Sequence, residues 1–335
     1  MSYYHSNTAI CYVNFAMVTN PAYLAVTMPQ LFSPVVCLFL VVAFALRFFG
    51  RGCFHPNAKI LVGCQLIFTT MYCCVFVFTH GQLSINLLFE YDRPCSVVHY
   101  ASECVVLYWA IIASVTGMAA TQVCIGIERL VSSIYITSYE RFGITLGTFL
   151  SFCAFLLALI VCCIVLSEYD PNEVRLTCMG VPASAGTKAR ILYYVIIGCD
   201  TVTMILFIFT WKVNTKMNRT SDHDPLPVKY QKKENANVIK MFLPNVIAHG
   251  LVYCVFSVSA IIIRANVDVI DPAVYSVIAV AINNVPHYTA IEMIVLHMIL
   301  TKQLRQAKEF SDKIANRSQA EDKETYFRNY SIQWQ

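Results

Sequence analysis

Charged residues are scarce in this chain. Asp, Glu, Lys and Arg together make up 13% of it, where a soluble globular domain carries about 25%. None of the eight histidines stands three or four residues from another, so a helical HxxxH or HExxH metal site is absent. There is no GxSxG nucleophile turn and no glycine-rich phosphate loop. Common hydrolase, zincin and nucleotide-binding chemistries are therefore excluded, and no catalytic residue, resident metal or cofactor is expected. The net charge of +4 is small, and no nucleic-acid partner is expected. A cleavable leader is not evident either, because the first apolar run follows a polar segment without basic residues. The 15 cysteines do not form a secreted disulfide framework, since most lie inside apolar runs as small buried hydrophobes.

What the chain has instead is apolar length, with 57% hydrophobic residues gathered in long runs. The stretch from Cys95 to Arg129 organises the rest. Between Val105 and Ile127 there is no charged residue. At ~1.5 Å per residue that run crosses a ~30 Å hydrocarbon core. Six further runs are Leu24–Leu46, Ile60–Thr79, Ile144–Leu166, Arg190–Trp211, Val238–Ile263 and Ala273–Leu300. The last is interrupted by Asn283-Asn284-Val285-Pro286. The pattern predicts an all-α membrane protein, a seven-transmembrane helix bundle in a lipid bilayer. It occupies residues 24–300, after an N-terminal segment 1–23 and before a polar tail 301–335. No internal repeat is visible, which weighs against an inverted-repeat transporter.

Seven spans put the chain ends on opposite sides. The N-terminal segment and the second, fourth and sixth loops hold 0, 1, 3 and 1 Lys plus Arg, counting Arg190 with the loop it borders. The first, third and fifth loops and the tail hold 3, 2, 6 and 7, counting Arg129 likewise. The basic set marks the cytoplasmic side, so the N-terminus is expected outside. In the tail, Leu304, Ala307, Phe310 and Ile314 fall at helical spacing, consistent with an amphipathic surface helix or with a frayed polar tail.

Cys95 and Cys178 fall in two outer loops, one at the mouth of the third span. A Cys95–Cys178 bridge is expected there, pinning the long loop over an outer cavity and leaving Cys11 without a partner. Two free surface thiols are the alternative. Among the ionisable groups within the spans are Glu103, Asp200, His249 and Glu292; such groups are costly in lipid and mark function by default. Glu103, flanked by Tyr100 and Tyr108, is expected about two turns into the third span, facing a ligand. An acid among aromatics suits an amine, and a structural glutamate reads equally well. Asp200 and His249 fall at similar depth on adjacent helices and are expected to pair as a polar floor, although His249 reads equally as a satisfied core histidine. Glu128-Arg129 closes the third span, either snorkelling to the interface or latched against the sixth span. Arg129, Glu128 and the basic 212–240 segment, with Tyr230, Lys232 and Lys233, are expected to face a cytosolic partner. Basic residues there also read as plain topology signals.

Several short motifs, taken in order, resemble a known family. Phe54-His55-Pro56-Asn57-Ala58-Lys59 opens the second span, and Ile127-Glu128-Arg129 closes the third. Tyr139-Glu140 follows, and Lys229-Tyr230-Gln231-Lys232-Lys233-Glu234-Asn235 precedes the sixth. Together they resemble the nematode serpentine chemoreceptors of the alpha superfamily, most like the alpha/beta class, over roughly residues 22–300. The resemblance implies a G-protein-coupled chemoreceptor in the plasma membrane of sensory neurons. It would bind a small molecule within the bundle and signal to a heterotrimeric G protein. A seven-span ligand-gated cation channel is the alternative; its N-terminus would lie inside, against the basic-residue count. The second span has no aspartate, the sixth no mid-span Trp-x-Pro, and the seventh has Asn284-Val285-Pro286-His287-Tyr288 for Asn-Pro-x-x-Tyr. Rhodopsin-like activation mechanics are therefore not carried over residue by residue.

Overall fold

A computed structural model of the protein describes residues 11–50, 54–89, 93–136, 138–139, 143–175, 178, 181–182, 184–218, 226–266, 269–282 and 285–316. The chain enters through helix α1, described over 11–18. Next come α2 (Pro21–Phe49), α3 (Pro56–Phe89), α4 (Ala101–Ile134), α5 (Thr145–Val165), α6 (Gly186–Asn218), α7 (Leu226–Ala265), α8 (Pro272–Ile282) and α9 (Val285–Asn316). The start of α2 follows from local chemistry. Asn20 accepts a 2.9 Å hydrogen bond from the Ala22 N–H, and Pro21 takes the first helical position, where its missing donor is not needed.

Helices α2 to α7 are each long and apolar enough to cross a membrane. The seventh run is covered by α8 and α9; of the interruption expected at Asn283–Pro286, Asn283 and Asn284 lie outside the described residues, and Val285 and Pro286 belong to α9. Helix α9 then continues without a break to Asn316, so the first half of the tail prolongs the seventh run. The 212–237 segment is mostly helical rather than a loop: α6 runs to Asn218 and α7 begins at Leu226. Its Lys, Gln and Glu residues are good helix formers, and Pro227 falls in the first turn, where it is tolerated. Likewise α3 runs ten residues past Thr79, to Phe89.

Helix α4 is the axis of the bundle, packed against α3, α5 and α6, while α2 packs on α3 and α9, and α7 on α6 and α9. Of its most apolar window, 67% is buried inside the protein, against 28% for α2 and for α7. The lipid-facing helices expose Phe32, Phe39, Leu46, Phe149, Phe152 and Val255, as apolar solvent requires. Two glycines permit close approach. A Cβ on Gly117 would lie 2.4 Å from the Phe68 ring of α3, and one on Gly147 2.8 Å from the Asn57 backbone.

The outer end of α4 is closed by backbone. His99–Tyr100 pairs antiparallel with Val174–Arg175. The Ala101 and Ser102 N–H groups donate to the carbonyls of Glu173 (2.9 Å) and Pro171 (3.1 Å). The loop before α6 thus satisfies donors that the helix start leaves open.

Candidate functional site

Three polar or hollow regions follow one another along the bundle. The outermost is a cavity of about 710 Å³ including its open mouth, between α3, α4, α6, α7 and α8. Its walls are apolar and aromatic, among them Tyr72, Phe76, Tyr193, Phe256 and Tyr275, with Ala260 on one side. One cation stands there, Arg264, whose Nη2 donates to the Val181 carbonyl at 3.2 Å.

The loop over this cavity is pinned by a disulfide, but not the expected one. Cys178 bonds Cys104 in the first turn of α4, and Cys95 bonds Cys11. The Cys95–Cys178 assignment is corrected accordingly. The cause is the helix start at Ala101, which places Cys104 at the outer mouth rather than in an apolar interior. With Cys104 available to Cys178, Cys11 on α1 takes Cys95.

Glu103 is displaced for the same reason. It lies in the first turn of α4 with its side chain 58% exposed. It accepts from the Tyr100 N–H at 3.3 Å and lies 3.5 Å from His99 Nδ1. It acts as a helix-start carboxylate, and the expected position two turns deep is corrected. Tyr100 is exposed and Tyr108 fully buried. None of Glu103, Tyr100, Tyr108, Asp200 and His249 is among the residues lining the outer cavity.

Beneath the cavity lies a charged cluster. His249 of α7 stands between Asp200 of α6 and Glu292 of α9. Its Nε2 is 3.6 Å from Asp200 Oδ1 and its Nδ1 is 3.0 Å from Glu292 Oε1. Asn245 Nδ2 donates to the same Glu292 oxygen at 3.0 Å. The His249 ring stacks on Tyr253 at 4.0 Å, and Tyr253 meets Phe256 of the cavity wall edge-on. The expected neighbours Asp200 and His249 are thus brought together. Glu292, placed in the inner half of the seventh run, was not expected to join them. Its spacing within one helix carried no sign that α9 packs against α7.

The third region closes the inner end. Glu128 and Arg129 are 0% and 1% exposed. Glu128 accepts from Arg129 and from the Tyr139 hydroxyl. Burial, reinforced by Glu128, pushes the Tyr139 hydroxyl above its ordinary range and keeps it a donor. Arg129 Nη1 donates to Asn235 Oδ1 of α7 at 3.3 Å, and Asn235 Nδ2 returns a 3.1 Å bond to the Ser132 carbonyl. Asn57 of α3 donates to the Tyr139 hydroxyl at 3.4 Å and accepts from the Gly147 N–H at 2.9 Å. Asn214 of α6 donates to Ser133 at 2.7 Å. One network therefore ties the inner ends of α3 to α7 together. Arg129 reaches the sixth run through Asn235 and does not present a free face to the cytosol. Lys232 is buried, and the side chains of Tyr230 and Lys233 lie outside the described residues. The three asparagines were missed as site residues. Asn57 and Asn235 did sit inside the motifs that carried the family resemblance.

A multi-pass bundle with an outer cavity, an interior charged cluster and a locked inner end is the architecture of a serpentine membrane receptor. The chain belongs to the family described as Serpentine type 7TM GPCR receptor class ab chemoreceptor, which it matches over residues 11–335. That family is a class of receptors, not of enzymes. Among curated proteins, it is 22% identical to Serpentine receptor class alpha-39 of Caenorhabditis elegans, over 80% of this chain and 72% of that protein. It is 21% identical to Serpentine receptor class beta-17 of the same organism, over 88% and 82%. With Serpentine receptor class beta-16 it shares 25% identity over 76% and 74%.

Proposed function

We propose that the chain is a chemosensory receptor that binds a small apolar molecule in the outer cavity and signals to a heterotrimeric G protein at the inner ends of α4, α6 and α7. The observation that carries this reading is one continuous stack along α7. Ala260 and Phe256 line the cavity, Tyr253 and His249 lie below, and Asn235 holds Arg129 at the inner end. A ligand that repositions α7 at the cavity acts on the Asn235–Arg129 contact through a single rigid element. The cavity's composition favours an apolar or aromatic ligand with one acceptor facing Arg264, rather than the amine that a buried Glu103 would have suited.

The N-terminus is assigned to the outside, and the receptor to the plasma membrane of sensory neurons. Both disulfides lie at the end of the bundle where Lys and Arg are few, and disulfides persist in oxidising compartments. The test is calcium or cAMP imaging of cells expressing the full chain, challenged with a panel of apolar volatiles. Ala260→Trp fills the cavity and is expected to abolish any response at equal surface level. A response that survives it places the ligand elsewhere.

A further inference from the structure

The apolar outer cavity holds a charge that its walls do not balance. Arg264 stands in the last turn of α7, half-buried at the cavity wall, and its Nη2 donates to the Val181 carbonyl at 3.2 Å. A guanidinium carries five N–H donors in a planar fork and stays charged at any physiological pH. The Val181 carbonyl meets one of them. Among the described residues no Asp or Glu lines the cavity, and none lies within ion-pair distance of Arg264. Other cations at this end of the bundle differ in this respect. Arg175 pairs with Glu173 at 3.0 Å, and Lys188 with Glu168 at 2.9 Å. A cation facing an apolar cavity without a counterion is unfavourable until an anion arrives.

The place of this cation is set by its surroundings. The Val181 carbonyl belongs to the loop that the Cys104–Cys178 bond ties to α4. On the other side, Gly186 at the start of α6 leaves room for the guanidinium, since a Cβ there would lie 3.2 Å from Nη1. Further in, the walls are ring and hydrocarbon. At ~1.5 Å per residue, Phe256 lies about 12 Å deeper along α7 than Arg264. Tyr72 and Phe76 of α3 and Val115 of α4 continue the lining. A long apolar slot with one cation at its end suits an amphiphile of the same plan, an apolar tail with one anionic head. A carboxylate matches the guanidinium fork, and such charge-assisted pairing is about twice as strong as a bond to a neutral acceptor. A phosphate monoester carries close to two charges and would leave part of that charge unmet by a lone arginine.

We propose that the outer cavity selects a monocarboxylate with an apolar or aromatic tail, its carboxylate paired with Arg264 and its tail against Phe256, Tyr72 and Phe76. This rests on the outer-cavity reading above and narrows the ligand of that site to an organic acid. Head and tail then both touch α7, at Arg264 and at Phe256, so the acid acts on the helix that carries Asn235.

The test uses the full-length receptor in detergent and three probes on one skeleton, phenylbutyrate, phenylbutanol and phenylbutylamine. A ligand that binds the folded state raises Tm in a saturable way. The midpoint for the acid is expected at least about tenfold below that for the alcohol, with no saturable rise for the amine. Arg264→Gln keeps a donor for the Val181 carbonyl but removes the charge, and is expected to erase the preference for acid over alcohol. Arg264→Glu is expected to turn the preference toward the amine, a reversal that a merely structural arginine would not give. Should both variants fail to fold, Arg264→Lys, which keeps the charge but loses the planar fork, is expected to raise the acid midpoint severalfold. An alcohol that binds the parent as well as the acid does overturns the carboxylate assignment and leaves the cavity reading standing. A preference for the acid that is unchanged in the Arg264 variants overturns the role of Arg264. An acid response that survives Ala260→Trp places the acid outside the cavity, and both readings fail. A flat Tm with all three probes and with octanoate overturns this proposal alone, because the response to neutral volatiles is measured separately.

Discussion

The two ends of α4 are held in opposite ways. At the outer end a covalent bond, Cys104–Cys178, and a short backbone ribbon fix the helix to the loop over the cavity. At the inner end hydrogen bonds made by side chains act, and Asn235 joins α4 to α7 through Arg129 and the Ser132 carbonyl. A covalent anchor has no second position, whereas a hydrogen-bonded one can be exchanged for another set of partners at little net cost. On the proposed receptor reading, the outer end is a fixed pivot and the inner end the part that opens.

The largest expected effect comes from removing the pivot. Cys104→Ser opens a loop of separation 74, for which the chain-entropy model gives about 4–5 kcal/mol. Loss of surface expression is expected, read by cell-surface labelling against total protein. Cys11→Ser opens a loop of similar length, separation 84, but Cys95 is exposed and the bond ties down only α1. Its surface level is expected to stay within about twofold of the parent. Equal loss in the two variants means that the bonds stabilise only through the unfolded chain, and the pivot assignment fails.

Releasing the other end should leave the protein folded and change its output. Asn235→Ala removes the Asn235–Arg129 hydrogen bond while Glu128 still pairs with Arg129. A hydrogen bond to a charged group contributes about 1.5 kcal/mol, hence roughly a tenfold shift between closed and open forms. Ligand-independent signalling is expected to rise by up to that factor at unchanged surface level. Basal output equal to that of the parent would show that α7 is held by packing, not by this contact.

How much of this was legible in the sequence depends on the range of the interaction. The spans were readable, because apolar length is local. The meeting of Asp200 and His249 was also readable, from depth on helices adjacent in the chain. Glu292 was not added, because α9 and α7 are neighbours only through three-dimensional packing. The disulfide pairing failed for a smaller reason. An apolar run does not say where its helix starts, and starting α4 at Ala101 moved both Cys104 and Glu103 to the mouth. The inner asparagines were invisible as partners, since an asparagine near a helix end reads first as a cap or a turn residue.

The smallest effect expected concerns the edge of the inner network. His55 precedes α3, its ring 4.4 Å from that of Tyr139, and its Nδ1 accepts from the Asn57 N–H at 3.3 Å. Burial pushes the imidazole down to about 4; Glu128 pulls it back up in part, and Arg129 opposes that. The acceptor role requires the neutral ring. In the unfolded chain the same group titrates near ~6.5. Below that pH the unfolded state binds the proton first, so the contribution of neutral His55 is complete above about 6.5 and declines as pH falls toward 4. The detergent-purified receptor is expected to melt at lower temperature at pH 5 than at pH 7. His55→Gln, which keeps an acceptor but cannot titrate, is expected to show a shallower decline over that window. Because several groups titrate there, the comparison of slopes is the measurement, not either melting temperature alone. If the two slopes coincide, the inner end owes its acid sensitivity to other groups, and His55 is only a packing neighbour of Tyr139.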